Sequence, residues 1–176
     1  MLNQLVDTRY SKEDVVILLQ DVNGRVPVLD TEEREKLNQS GVHYSEMLPL
    51  EYRPTEKYME IYQESLDTLS SETANAIELL CEKLIAKKGK DIVIVSLARA
   101  GTPVGILAKR YIKFKWGYDV PHYSISIIRG KGIDVAAMNY MGVLYGDGKL
   151  IKQDFQKAIY WRELAAEKGT SADKFA

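Results

Sequence analysis

A chain of 176 residues is long enough for one good core or two small ones. With 24 Lys plus Arg against 25 Asp plus Glu, its net charge of −1 gives no electrostatic case for a nucleic-acid partner. An N-terminus without a basic-then-apolar leader, the lack of any run able to span a bilayer and a single cysteine favour a cytoplasmic protein without membrane span or internal disulfides.

Residues 1–10 read as a loose arm. Ser11 with Asp14 resembles a capped helix start that continues through Val15–Leu19, although the β-branched residues there suit a strand as well. Asn23-Gly24 marks a turn and Val26–Leu29 a short extended segment. Thr31 caps an acidic first turn, Glu32 and Glu33, of a helix that ends near Gln39 before Gly41. His43–Arg53 lacks periodicity and precedes Pro54, so it reads as a loop, in which His43, Tyr44, Glu51, Tyr52 and Arg53 form either a substrate-facing surface or a solvated connector. A helix follows from Thr55 to about Leu69, with Tyr58, Ile61, Tyr62 and Leu69 near one face. Ser70 or Ser71 caps a second helix that runs to Lys88 before Gly89. Cys81 sits in that helix's apolar stripe with Ala74, Ile77, Leu84 and Ile85, a setting that makes it a small core residue rather than a nucleophile.

Lys90–Gly105 is the stretch around which the chain is organised. Ile92–Val95 suits a strand buried on both faces of a parallel sheet, and Ser96–Gly101 a turn of small residues. Thr102 and Pro103 suit the cap and first position of a helix over Val104–Tyr111. The helix N-terminus favours an anion, Ala100 and Gly101 allow close backbone approach, and Arg99 adds a two-pronged donor. In Lys113–Tyr118, Lys113, Phe114, Lys115 and Trp116 suit either a nucleotide grip by charge and stacking or, the preferred reading, a helix C-terminus with cations on its dipole. His122–Ile128 reads as a second strand, parallel to the first through a right-handed crossover, with Arg129–Gly132 leaving its carboxyl end on the same edge as Arg99.

The sequence changes character at residue 134. Beyond it stand two helices: Ala137, Tyr140, Met141 and Leu144 mark the first, and Asp154 caps the second, which carries Phe155, Ala158, Ile159, Ala165 and Ala166 and ends at Gly169. Gly142, Tyr145, Gly148, Asp154, Ala158, Trp161, Ala165, Ala166 and Gly169 resemble one unit of the Sel-like, tetratricopeptide-related repeat family, with Leu150 at a position usually glycine and Arg162 at an aromatic one departing from its pattern. One such unit needs a neighbour to cover its faces.

The turn after the first strand resembles the pyrophosphate loop of phosphoribosyltransferases. With HYSEMLPLEYRPTEKYMEIY, IVSLARAGTPVGILAKRY and PHYSISIIRGKGID in order, residues 10–134 resemble the phosphoribosyltransferase-like family of bacterial tellurite and stress-response operons, whose members are often labelled cysteine protease StiP. The resemblance implies a helix-rich α/β fold, with a partial parallel sheet over residues 1–134 and an α-hairpin over 135–176. It also implies a phosphorylated small-molecule partner, pyrophosphate or a phosphoribosyl or nucleotide ligand, held by Ser96, Arg99, Ala100, Gly101, Thr102, Arg129 and Lys131. Glu51, Tyr52 and Arg53 then face the substrate, Mg²⁺ accompanies the pyrophosphate, and no protein-bound metal is expected. The acidic strand end and Thr-Gly turn that hold ribose 5-phosphate in that family are absent, so complete catalysis is not expected of this chain, and no catalytic residue is assigned. The alternative is an interaction protein that meets a protein partner through its helical repeat. The third reading, cysteine proteolysis, rests on the family label alone.

Overall fold

The computed structural model describes residues 8, 10–19, 24–128, 132–148 and 153–172. In chain order the elements are β1 (Val16–Ile17), β2 (Val28–Leu29), α1 (Thr31–Gln39), a 3-10 turn (Tyr44–Glu46), β3 (Leu48–Pro49), α2 (Glu56–Lys88), β4 (Ile94–Leu97), α3 (Gly101–Trp116), β5 (His122–Ile125), β6 (Ile127–Ile128), β7 (Gly132–Ile133), α4 (Val135–Asp147) and α5 (Phe155–Ala172). The fold is α/β, rich in helix, with small parallel sheets. It divides into two compact units, Val22–Asn75 and the pair Met1–Asp21 with Ala76–Ala176; α2 runs from the first into the second. Residues on both sides of position 134 fall in the second unit.

In the Val22–Asn75 unit, β2 lies in the expected extended segment and pairs in parallel, Val28 opposite Leu48, with β3, which lies in the segment expected as loop. Asp30, rather than Thr31, caps α1: its Oδ1 accepts the Glu33 N–H at 2.9 Å, and Glu32 and Glu33 favour the positive end of the helix. The Thr55 hydroxyl accepts the Tyr58 N–H at 3.2 Å and starts α2. The helix break expected at Ser70 or Ser71 does not occur. No Gly or Pro stands inside α2, serine costs a helix only a fraction of a kcal/mol, and the Ser65 and Thr68 hydroxyls bond back to the Ile61 and Glu64 carbonyls at 2.7 Å. Tyr58, Ile61, Tyr62 and Leu69, expected on a packed face, are all exposed.

The second unit is built on one parallel sheet of order β1-β5-β4, with Val16 opposite Tyr123 and Ile94 opposite His122. The strand alternative at Val15–Leu19 is thus the observed one, after a turn in which Ser11 O accepts from the Asp14 and Val15 N–H groups. β4 and β5 are adjacent and parallel, and α3 lies between them in sequence, as expected. The expected strand over 122–128 divides after Ile125: Ile127 and Ile128 turn away to pair antiparallel with Ile133 and Gly132.

Helices cover both faces of this sheet. On one, Ile77 and Cys81 of α2 and Ala108 and Ile112 of α3 form a core with Val120, against which Ile92 and Ile94 pack. On the other, Leu18 and Tyr123 meet Ala137 and Leu144 of α4, with Val16, Ile125 and Met141 beside them. The expectation that Ile92–Val95 is buried on both faces fails at alternate positions, because Val93 and Val95 remain exposed. The cations ending α3 are paired as a helix terminus should pair them: Lys115 meets Glu82 and Glu78, and Gly117 closes the helix at φ 72°.

α4 and α5 pack through small residues. Ala158 and Ala165 are buried, and a Cβ on Gly142 would come within 2.6 Å of Arg162 Cγ. Arg162 thus lays its aliphatic stem against Gly142. Phe155 and Ile159, expected in this contact, are 63% and 51% exposed; the close approach leaves room for alanine and glycine rather than large side chains. Asp154 Oδ1 accepts the Lys157 N–H at 3.0 Å, the expected cap, while α5 continues past Gly169. Leu150 lies outside the described residues. Ala158→Asp places a charge without a partner in this contact, and is expected to destabilise the unit by about 2 kcal/mol or more. Urea unfolding checks it: a midpoint equal to the parent's means the helices do not pack through Ala158.

Candidate functional site

The carboxyl ends of β4 and β5 and the start of α3 form the edge singled out by the sequence. β4 ends at Leu97, Ala98–Ala100 make the turn, and α3 begins at Gly101 with Ala100 as its cap, so Thr102 and Pro103 lie inside the first turn. Arg99 and Ala100 are exposed at the tip, and the Arg99 carbonyl accepts the Thr102 N–H at 3.2 Å. Ser96 and Thr102 face inward. Thr102 is buried and its hydroxyl bonds that of Ser124 at 2.7 Å. Ser96 is buried and its Oγ lies 2.8 Å from His122 Nε2. Thus Arg99, Ala100, Gly101, Thr102 and Ser96 do come together, but the last two have side chains spent on internal bonds. Arg129 and Lys131 lie outside the described residues. Glu51, Tyr52 and Arg53 are exposed in the Val22–Asn75 unit.

The sequence reading missed His122 and Ser124. Their signal was polar residues at every second position of an otherwise apolar strand, the period that puts both on one face. His122 is the hub of that face. Its Nδ1 lies 2.9 Å from the Asp14 carbonyl, which can only accept, so Nδ1 carries the proton and Nε2 accepts from the Ser96 hydroxyl. Asp14 is fixed in turn by a two-pronged ion pair with Arg110 of α3, at 2.8 and 2.6 Å, and the guanidinium holds the Asp14 carboxyl below its usual range. Burial pushes the His122 pKa down, with the Asp14 carbonyl opposing.

This is the hydrogen-bond order of a serine–histidine pair, yet it sits sealed between the sheet and α3, where no substrate carbonyl can reach Ser96. Its work is structural: it ties β1, β4, β5 and α3 together with every polar atom engaged. Gly105 completes the fit, since a Cβ there would lie 2.6 Å from His122 Cε1. Among the described residues no three of His, Cys, Asp and Glu gather as a metal-binding group.

Gly105→Ala tests this packing by sign. In an unobstructed helix interior the change stabilises by about 1 kcal/mol; here overpacking is expected to destabilise by about 1–3 kcal/mol. A stabilised variant in urea would mean the ring is free to move.

His122 also sets a pH dependence. Its pKa in the folded protein is below its ordinary value of about 6.5, so the unfolded chain takes up a proton first as pH falls. Stability is complete above that value and lost below it, at no more than about 1.4 kcal/mol per pH unit. His122→Gln should flatten this fall below about pH 6.5. Parallel stability profiles for the two proteins would assign the loss to other groups.

Comparison with known proteins bears directly on this site. The family model described as "Tellurite-like stress resistance cysteine protease StiP" matches residues 8–163, across position 134 and into α5. Over 155 residues the chain is 35% identical to "Cysteine protease StiP" of Acinetobacter baylyi, a match covering 88% of this chain and 40% of that protein. No solved structure matches significantly. Among the described residues no helix is long and apolar enough to cross a membrane. These matches overturn the expected function as a binder of pyrophosphate or a phosphoribosyl ligand: the stress-resistance association holds, but the family is described as a protease. By the extent of the family match and the identity to its relative, this chain belongs to the StiP family of tellurite-like stress resistance proteins.

Proposed function

We propose that this chain takes part in resistance to tellurite-like stress and that Cys81 serves its fold, not peptide hydrolysis. The observation that carries this reading is the burial of Cys81. It is the only cysteine in the chain and is 0% exposed between α2 and α3, where its thiol donates to the Ala108 carbonyl at 3.7 Å. Burial pushes its pKa up, away from the thiolate that a nucleophile needs. The chain holds two histidines. Both ring nitrogens of His122 are engaged with Ser96 and Asp14, and His43 bonds Ser45 through Nδ1 at 2.7 Å. The core packed with Cys81 consists of Ile77, Ala108, Ile112 and Val120, an apolar setting, whereas covalent catalysis requires a base beside the thiol.

Two further readings belong with this one. The β4–α3–β5 arrangement supports a phosphoribosyltransferase-like layer as ancestry of the fold, without that activity. The α4–α5 pair, with Gly142, Asp154, Ala158 and Ala165 in place, supports a Sel-like unit beginning near residue 135. The exposed turn at Arg99 and Ala100 is the edge through which we infer that the protein acts.

The competing reading, that Cys81 attacks a peptide bond, is favoured by the printed names of the family and of the relative. Complementation separates the two. In tellurite-challenged cells lacking the gene, Cys81→Ala is expected to restore survival like the parent, with a stability cost of about 1 kcal/mol. Arg99→Ala is expected to restore less, with an unchanged melting temperature. The native thiol should react with a thiol reagent only after denaturation. Survival lost in Cys81→Ala, with the protein folded, would make the cysteine a nucleophile and sink the proposal.

A further inference from the structure

β4 ends its sheet on one side, among the described residues. Its register fixes what it presents there. The Ile94 N–H donates to the Pro121 carbonyl and the Ala98 N–H to the Ile125 carbonyl, both in the direction of β5. In a parallel ladder the alternate residues then point their backbone groups the other way, so Val93, Val95 and Leu97 address the open edge. These residues are exposed by 40%, 56% and 50%. Val93 and Val95 also line a cavity of about 310 Å³ between the sheet and α4, floored by Leu18, Tyr123 and Met138.

Sheet edges left to solvent are usually guarded by a lysine, a proline, a bulge or an inward charge. Ile92–Leu97, IVIVSL, contains none of these. An unguarded apolar edge beside an apolar hollow has the form that accepts an added strand: main-chain bonds supply affinity, and alternate side chains find a pocket.

The family comparison points to one source for that strand. The match takes in 88% of this chain but 40% of the Acinetobacter baylyi protein, so a StiP-type protein contains much polypeptide beyond the part this chain resembles. We propose that β4 pairs with a strand from that remaining part of a StiP-type protein, which extends the sheet and covers Val93, Val95 and Leu97. The inference stands apart from the reading of Cys81, since it uses neither the thiol nor any activity.

The test co-expresses the full 176-residue chain with the unmatched remainder of the Acinetobacter baylyi protein as a separate polypeptide. The expected result is a complex on size exclusion in which the Val93, Val95 and Leu97 amides exchange hydrogen at least about tenfold more slowly than in the chain alone. The Ile94 amide, already bonded toward β5, should change little. Val95→Pro removes one outward N–H at an edge position that tolerates proline, so it should abolish the complex without unfolding the chain. Val95→Lys guards the edge by charge and should do the same if proline disturbs the fold. No complex, a complex that survives both substitutions, or one that leaves the three amides unprotected overturns the proposal. So does a chain that is already a dimer and becomes monomeric in Val95→Pro, for then a second copy occupies the edge.

Discussion

β5 has a strand on each side and a helical layer on each face, and the organisation of its unit depends on satisfying it in all four directions. Main-chain bonds tie it to β1 and β4 in parallel register. Tyr123 points to the α4 side and enters an apolar cluster there, whereas His122 and Ser124 point to the α3 side and bring polar atoms into a buried layer. Such atoms cost about 1–3 kcal/mol each if left without partners. The fold answers with the Ser96–His122 and Thr102–Ser124 bonds and with the Asp14 carbonyl. These bonds specify how α3 lies. Helix, turn and β1 must each be in place before the polar face of β5 closes.

That requirement explains why Ser96 and Thr102, in the most prominent sequence motif, turn their side chains inward. A strand, a turn of small residues and a helix were legible because each has a local cause: β-branched residues in a run, then Ala and Gly, then an uninterrupted helical stretch. The direction of Ser96 and Thr102 was not, because it depends on what stands opposite them on a strand about 25 residues later. Small hydroxyl residues at a helix start suit a bound anion and a buried hydrogen bond equally well. Only the register decides, by bringing Ser96 opposite Ser124 and Ile94 opposite His122.

The same distinction separates the other successes and failures. The turn at Thr55, the end at Gly89 and the cap at Asp154 were visible because a cap acts over three or four residues. The continuity of α2 through Ser70 and Ser71 was not, since serine serves as a cap or as a helix-interior residue depending on its backbone. At the α4–α5 contact, hydropathy favoured Phe155 and Ile159. The close approach at Gly142 reverses the preference, and alanines take the buried places. Periodicity identifies a face but not the distance at which its neighbour stands.

Cys81 illustrates how a residue's chemistry follows from its layer rather than its name. In an exposed, electropositive turn a thiol would have anion-stabilising partners; on the buried face of α2 it has Ile77, Ala108 and Ile112. Ionising it there would require either moving α2 away from α3 or admitting water into the core on which β4 rests. The exposed elements of the same unit are of another kind: the Arg99–Ala100 turn and the apolar edge of β4, which follow one another directly in the chain. A strand added at that edge would end or begin beside the turn, so whatever covers Val93 and Val95 would also shape the surroundings of Arg99. A neighbour that completed the sheet would therefore share with α3, which begins at Gly101, in setting the surroundings of Arg99.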